Sequence, residues 1–220
     1  MSSVLSVNHV SNTFDSEYLE MIRENSTLRV LAARKYLFRE YDKSDWVYLI
    51  EKGELVMERM SRNGKRQIVG FLNAGNMIGF TAARIYEYSA FALTNAQARK
   101  IPASFFGHMS ENHPAVARTT IAMMGEVLIA LTEHLFSVAN KKAHERICYL
   151  IEQLSSRHSK AQLRVLILHM TRQDIADYLA LTPETVTRGL AKLQRDGIIN
   201  MRRPREIELL EPGTIRKLAE

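Results

Sequence analysis

The chain has 220 residues, 46% of them hydrophobic and 25% charged, a balance that fits a globular protein of one large or two small domains. Its one cysteine, Cys148, excludes an internal disulfide and cannot alone hold an iron–sulfur cluster or a structural zinc. The net charge is +6 and uneven: residues 1–139 carry 15 Lys/Arg against 14 Asp/Glu, whereas residues 140–220 carry 15 against 10, the footprint expected where phosphates are contacted.

No apolar run approaches the roughly 20 residues of a membrane span. The opening "MSSVLSVNHVSNTFDSEYL" lacks the basic and apolar regions of a signal peptide, so a cytoplasmic protein with no membrane partner is expected. Residues 15–25, "DSEYLEMIREN", predict a short amphipathic helix with Leu19 and Ile22 inward. From about 28 to 105 the pattern turns to short β-like runs. "WVYLIEKGELVMERM" holds two runs broken at Lys52-Gly53, and Asn63-Gly64 is a strong hairpin signal with "QIVGFL" as its return strand. "NAGNMIGF" gives another turn, and "SAFALTNAQARKI" more strand. Strands at this spacing predict a small sandwich or roll.

Residues 115–157 contain no proline and one glycine, Gly125. Two apolar stripes run along this segment: Val116, Thr120, Met123, Val127, Ala130 and His134; and Ile121, Met124, Leu128, Leu131, Leu135 and Val138. One stripe is expected to cover the roll and the other to meet a partner helix, as in a two-chain coiled coil. The 4-3 spacing of the first stripe assigns Val116, Thr120, Met123, Val127, Ala130 and His134 to a homodimer interface on a helix at about 114–138. "NKKAHER" is the polar break that follows.

Residues 171–199, "TRQDIADYLALTPETVTRGLAKLQRDGII", predict two short helices with a tight turn. Thr171 caps the first, with Asp174 completing a capping box and Ile175, Ala176 and Leu179 inward. Thr182 caps the second and Pro183 occupies its first position. Glu184, Thr187, Arg188, Ala191 and Arg195 then share one face, opposite Val186, Gly189, Leu190 and Leu193. This is a helix-turn-helix, whose second helix enters the DNA major groove. Arg188 can donate twice to guanine and Glu184 can accept from cytosine. Two residues depart from an ideal motif: Gly189 at an inward position and Ala180 in the turn. Beyond it, Ile198-Ile199 and Ile207–Leu210 predict two strands with Arg202, Arg203 and Arg205 beside Pro204, the wing of a winged helix. The expected DNA-contacting set is Thr171, Arg172, Gln173, Glu184, Thr185, Thr187, Arg188, Lys192, Arg195, Arg202 and Arg203.

The order of roll, long helix and winged helix, with "MTRQDIADYLALTPETVTRGLAKLQRDGII", "YLIEKGEL" and "QIVGFLNAGNMIGF", resembles the Crp/Fnr family of bacterial transcription regulators over nearly the whole chain, closer to its Fnr/FixK-like branch. The resemblance implies an α+β fold with a β-roll sensor domain at 1–110, a dimerisation helix at 111–140 and a winged-helix DNA-binding domain at 141–220. It implies a homodimer bound to palindromic double-stranded DNA and a contact with RNA polymerase. Fnr-like members read TTGA-type half-sites with Glu, Ser and Arg in the spacing of Glu184, Thr187 and Arg188; here Thr replaces Ser. The N-terminal cysteines of cluster-sensing members are missing, which argues against an iron–sulfur cluster. Cyclic-nucleotide binders carry Gly-Glu and Arg-Ser in the segment matching "GFTAARIYEYSAF"; here Phe80 follows the glycine and Tyr88 stands in place of the phosphate-binding Arg before Ser89, which argues against cyclic AMP, with Arg84 the nearest substitute.

An enzyme of the cupin type would need clustered His and carboxylate ligands in the strands. The seven histidines (9, 108, 113, 134, 144, 158 and 169) all lie outside 28–105, and no nucleophile–base pair or phosphate-cradling loop is evident. The remaining alternative is a small-molecule-binding roll without direct DNA activity. The effector is open: a haem-bound gas, with His134 the ligand to consider, an apolar molecule, redox change at Cys148, or none with control by abundance.

Overall fold

The computed structural model describes residues 14–156 and 165–220. The opening residues read as lacking a signal peptide, with His9, and also His158, lie outside the described residues. The chain divides into two compact units, with the boundary inside one long helix, between Ile129 and Ala130.

The first unit opens with α1 (Ser16–Glu24), which buries Ile22 and half-buries Leu19. The strands that follow are β1 (Thr27–Leu31), β2 (Tyr36–Phe38), β3 (Trp46–Lys52), β4 (Leu55–Met60), β5 (Arg66–Leu72), β6 (Met77–Ile78), β7 (Ser89–Ala92) and β8 (Ala96–Pro102). They form two four-stranded antiparallel sheets, ordered β1-β8-β3-β6 and β2-β7-β4-β5. The turns expected at Lys52-Gly53 and Asn63-Gly64 both form, with positive φ at Gly53 (89°) and Gly64 (78°). Gly53 also lies so close to Asn95 and Ala96 that no side chain would fit.

Leu31, Phe38, Tyr48, Ile50, Leu55 and Tyr86 fill the roll between the sheets. A second cluster forms where Ile22, Val47, Leu49 and Ile101 meet α2 (Ala103–Asn112), through Phe106 and Met109, and α3 (Pro114–Asn140), through Val116 and Met123. This corrects the expected dimer stripe. Val116, Thr120 and Met123 are buried within the chain's own unit, at 0%, 8% and 6% exposure, so they do not form a free seam. Thr120 returns its hydroxyl to the Val116 carbonyl at 2.8 Å. The exposed stripe is the other one: Ile121, Met124, Leu128, Leu131 and Leu135. Val127 and Ala130 are half-buried between the two. By length and composition the helix could cross a bilayer, although no uninterrupted apolar run in it approaches that length. Its apolar residues instead divide between a core-facing and an exposed stripe, with Glu126 and Glu133 among them.

The second unit contains the end of α3, α4 (Ala143–Ser156), β9 (Val165–Ile167), α5 (Arg172–Leu179), α6 (Pro183–Arg195), β10 (Ile199–Arg203), β11 (Glu206–Leu209) and α7 (Pro212–Ala219). The wing is a three-stranded antiparallel sheet ordered β10-β11-β9, where two strands were expected.

The assignment of Met123 to the core has a measurable consequence. Met123→Ala is expected to lower the unfolding free energy by about 2–4 kcal/mol in urea titration, the cost of a cavity at a buried site. A change within error would place Met123 outside the core.

Candidate nucleic-acid interface

The geometry of the interface begins with local capping. The Thr171 hydroxyl accepts from Asp174 N–H at 3.0 Å, and the Asp174 carboxylate accepts from Thr171 N–H at 2.9 Å, a complete capping box. Ile175, Ala176 and Leu179 are buried, as their spacing predicted. The helix α5 ends at Ala180 in the left-handed region (φ 52°), and Leu181 N–H reaches back to Ala176 O at 3.0 Å. This closure usually takes glycine. Thr182 then caps α6, accepting from Thr185 N–H at 3.2 Å, with Pro183 at the first position.

The face of α6 is as the sequence predicted: Val186, Gly189, Leu190 and Leu193 are buried, and Glu184, Thr187, Arg188, Ala191, Lys192 and Arg195 are exposed, with Thr185 half-buried. Gly189 has a reason that sequence alone did not supply. A β-carbon there would collide with the Ile147 side chain, which is 1% exposed on α4, so the glycine lets α6 lie close against α4.

Chemically, the exposed face offers distinct groups. Its own backbone N–H and the Thr182 hydroxyl, with Arg188 nearby, hold the Glu184 carboxyl below the usual carboxylate range, so it remains an acceptor. Thr187 donates its proton to Pro183 O at 2.9 Å, which leaves its oxygen lone pairs available. Among the described residues, Arg188 makes only a long contact, 3.4 Å, with the Thr185 hydroxyl. Lys192 is drawn to Asp196 at 2.6 Å. Gln173 is exposed at the start of α5 and donates to Asp177 at 2.6 Å.

The wing arginines differ from one another. Arg202 makes a two-pronged pair with Glu208, at 3.0 and 2.8 Å, which raises its pKa, and Arg203 lies 3.7 Å from Glu206. Arg205 is exposed in the turn and has no ion pair among the described residues. It was not in the expected contact set. The signal was available: a turn at Pro204-Arg205 pairs Arg203 with Glu206 and leaves Arg205 without an opposite acid.

His134, assigned to the dimer stripe, is instead buried and stacked on Tyr178 of α5, with ring centroids 4.0 Å apart at 9°. The Tyr178 hydroxyl donates to Gln153 at 2.8 Å, and Gln153 donates to the Tyr149 hydroxyl at 2.6 Å. Burial pushes the His134 pKa down to about 4, despite the Tyr178 backbone, so the ring is neutral near pH 7. Cys148 is fully buried on α4, and burial, then Glu145, pushes its thiol up to about 11, which leaves little thiolate to react.

Aromatic rings pack together inside the roll. Phe38 stacks on Tyr86 (3.9 Å between centroids) and on Tyr48 (5.5 Å), and Tyr88 meets it edge-on. Gly79 N–H already donates to the Tyr88 hydroxyl at 3.0 Å, and buried Ser89 accepts from Glu40 N–H at 2.9 Å. The Gly79 N–H and one lone pair of Ser89 are thus engaged within the chain, and Arg84 is exposed.

A β-roll and a winged helix-turn-helix with a charged, exposed second helix define a DNA-binding regulator with an N-terminal sensor-type domain. Residues 28–113 match the cyclic nucleotide-binding domain family, and residues 145–218 match the Crp-like helix-turn-helix domain family. The chain is 31% identical over 182 residues to the nitrogen fixation regulation protein FixK of Rhizobium meliloti, covering 83% of this chain and 82% of that protein. It is 28% identical over 199 residues to the transcriptional activator protein FnrL of Cereibacter sphaeroides, covering 88% and 80%. The structure of FixK2 from Bradyrhizobium japonicum superposes with a TM-score of 0.82 at 26% identity, covering 89% of this chain and 98% of that one. The chain belongs to the Crp/Fnr family, on its FixK/Fnr side, and is a DNA-binding transcription regulator.

The buried His134 gives a pH prediction. Its pKa is depressed in the folded protein, so its contribution to stability is fully present above about pH 6.5 and is lost as pH falls through about 4. The loss is on the order of 3 kcal/mol. His134→Phe keeps the ring against Tyr178 and is expected to flatten this part of the stability profile in urea titrations from pH 7 to 4. An identical slope in both proteins would show that His134 is not the titrating group.

Proposed function

We propose that the protein binds palindromic TTGA-type sites as a homodimer, each α6 reading one half-site in the major groove. The observation that carries this is the exposed trio Glu184, Thr187 and Arg188 at the N-terminal end of a helix whose start is fixed by Thr182 and Pro183. Arg188 reads a guanine and Glu184 the cytosine paired to it or to its neighbour. The TTGA preference rests on likeness to Fnr-like members, with Thr187 in place of Ser. Arg205 joins Arg195 and the wing as a phosphate contact, and Thr171, Arg172, Gln173, Thr185 and Lys192 border the same face. Arg202 is the weaker phosphate candidate, because Glu208 already neutralises it.

The dimer reading rests on the exposed stripe of α3. Ile121, Met124, Leu128, Leu131 and Leu135 alternate at spacings of three and four, the seam of a two-stranded coiled coil. The chain is accordingly read as a roll, a helical joint at 111–140 and a DNA-binding unit. It acts in the cytoplasm by binding, not by catalysis, and contacts RNA polymerase, as Crp/Fnr regulators do. The ring-filled roll favours control without a cyclic nucleotide.

Arg188→Ala is expected to cost about 1–3 kcal/mol of discrimination, measured by binding to palindromic and scrambled duplexes at two salt concentrations. An equal loss on both duplexes would make Arg188 a phosphate contact and overturn the base-reading role. Leu128→Glu places like charges face to face on the seam and is expected to sediment as a monomer at concentrations where the parent protein is a dimer. An unchanged dimer would show that this stripe is not the interface.

A further inference from the structure

The first helix of the helix-turn-helix carries an arginine whose partner lies in the wing. Arg172, the first residue of α5, extends to the wing and donates from Nη2 to the Pro204 carbonyl at 3.0 Å. The adjacent carbonyl, that of Arg205, accepts from Leu168 N–H at 2.8 Å. Beside it, β9 pairs with β11 through Ile167 and Glu206. The two carbonyls of the wing tip are therefore tied to residues on either side of the Thr171 cap, one by backbone and one by a guanidinium.

The wing needs such a tie. Its turn has Pro204 in second place, and none of residues 203–206 has a positive φ. Two-residue hairpins favour primed turns with positive φ, because other turns splay the strands they join. The ladder is also irregular, with a register shift between Met201 and Arg203. Arg172 itself is half-buried, whereas Gln173 beside it is exposed, and burial lowers the pKa of the guanidinium.

We propose that Arg172 is a positioning residue that acts on DNA through the wing: by holding the Pro204 carbonyl it fixes the turn that presents Arg205 beside α6. The proposal deepens the reading of α6 and the wing as the DNA interface and rests on it. It separates Arg172 from the phosphate contacts with which the sequence grouped it.

The test combines a DNA-free and a DNA-bound measurement on the full chain. Without DNA, Arg172→Ala is expected to speed trypsin cleavage between Arg205 and Glu206, and Arg172→Lys, which keeps a cationic donor, to restore much of the protection. With DNA, Arg172→Ala is expected to weaken binding several-fold in the parent protein but to have little further effect in an Arg205→Ala background, because the two residues act through one contact. Unchanged cleavage, or an Arg172→Ala loss that persists in full beside Arg205→Ala, would overturn the proposal and make Arg172 an independent phosphate ligand. Failure of the parent protein to prefer the palindrome would instead count against the half-site reading, and the cleavage result would stand apart from it.

Discussion

Arg146 of α4 bonds to the ends of two helices at once. It donates from Nε to Lys141 O, just past the end of α3, at 2.8 Å, and from Nη1 to Leu179 O, the last residue of α5, at 3.0 Å. The final carbonyls of a helix have no partner within it and carry its negative end, so one half-buried guanidinium satisfies a double need. The end of α5 is thereby fixed relative to α4, and only Ala180, Leu181 and Thr182 separate it from the start of α6. The next residue on α4, Ile147, receives α6 directly at Gly189. Two consecutive side chains, one charged and one apolar, therefore seat the two helices of the motif. The position of Glu184, Thr187 and Arg188 depends on both.

Electrostatics in the same unit are less available than the sequence suggests. Lys192, Arg202, Arg203 and Arg216 each lie within ion-pair distance of an acid: Asp196, Glu208, Glu206 and Glu152. Exposed pairs contribute little to stability. They do matter for binding, because a cation that must leave or share its partner releases fewer counterions from DNA than a free one. The 15 basic residues of 140–220 thus set an upper bound on cationic phosphate contacts, not their number.

What could be read in the sequence was local. The Thr171–Asp174 capping box, the Thr182-Pro183 helix start and the Asn63-Gly64 turn are encoded within four residues, and each forms. The exposed face of α6 followed from helical geometry alone. The choice between the stripes of α3 did not, because both are apolar and only the presence of Phe106, Met109 and Ile101 decides which one is buried. Lys141 and Lys142 mark the break after α3 by polarity alone, without proline or glycine, so α4 was hidden in a continuous helical pattern. Gly189 looked like a defect until Ile147 was placed beside it. Arg172 looked like a phosphate contact because its partner lies 32 positions along the chain. In each of these cases the deciding atom belongs to another element.

The central claim, that α6 enters the major groove once per half-site on one face of DNA, is tested most directly by methylation interference at guanine N7 on the palindromic duplex. Interference is predicted in two major-groove segments about one helical turn apart, roughly 34 Å between centres, with no effect from adenine N3 methylation in the minor groove between them. Interference confined to one segment, or centred on the minor groove, would contradict the account.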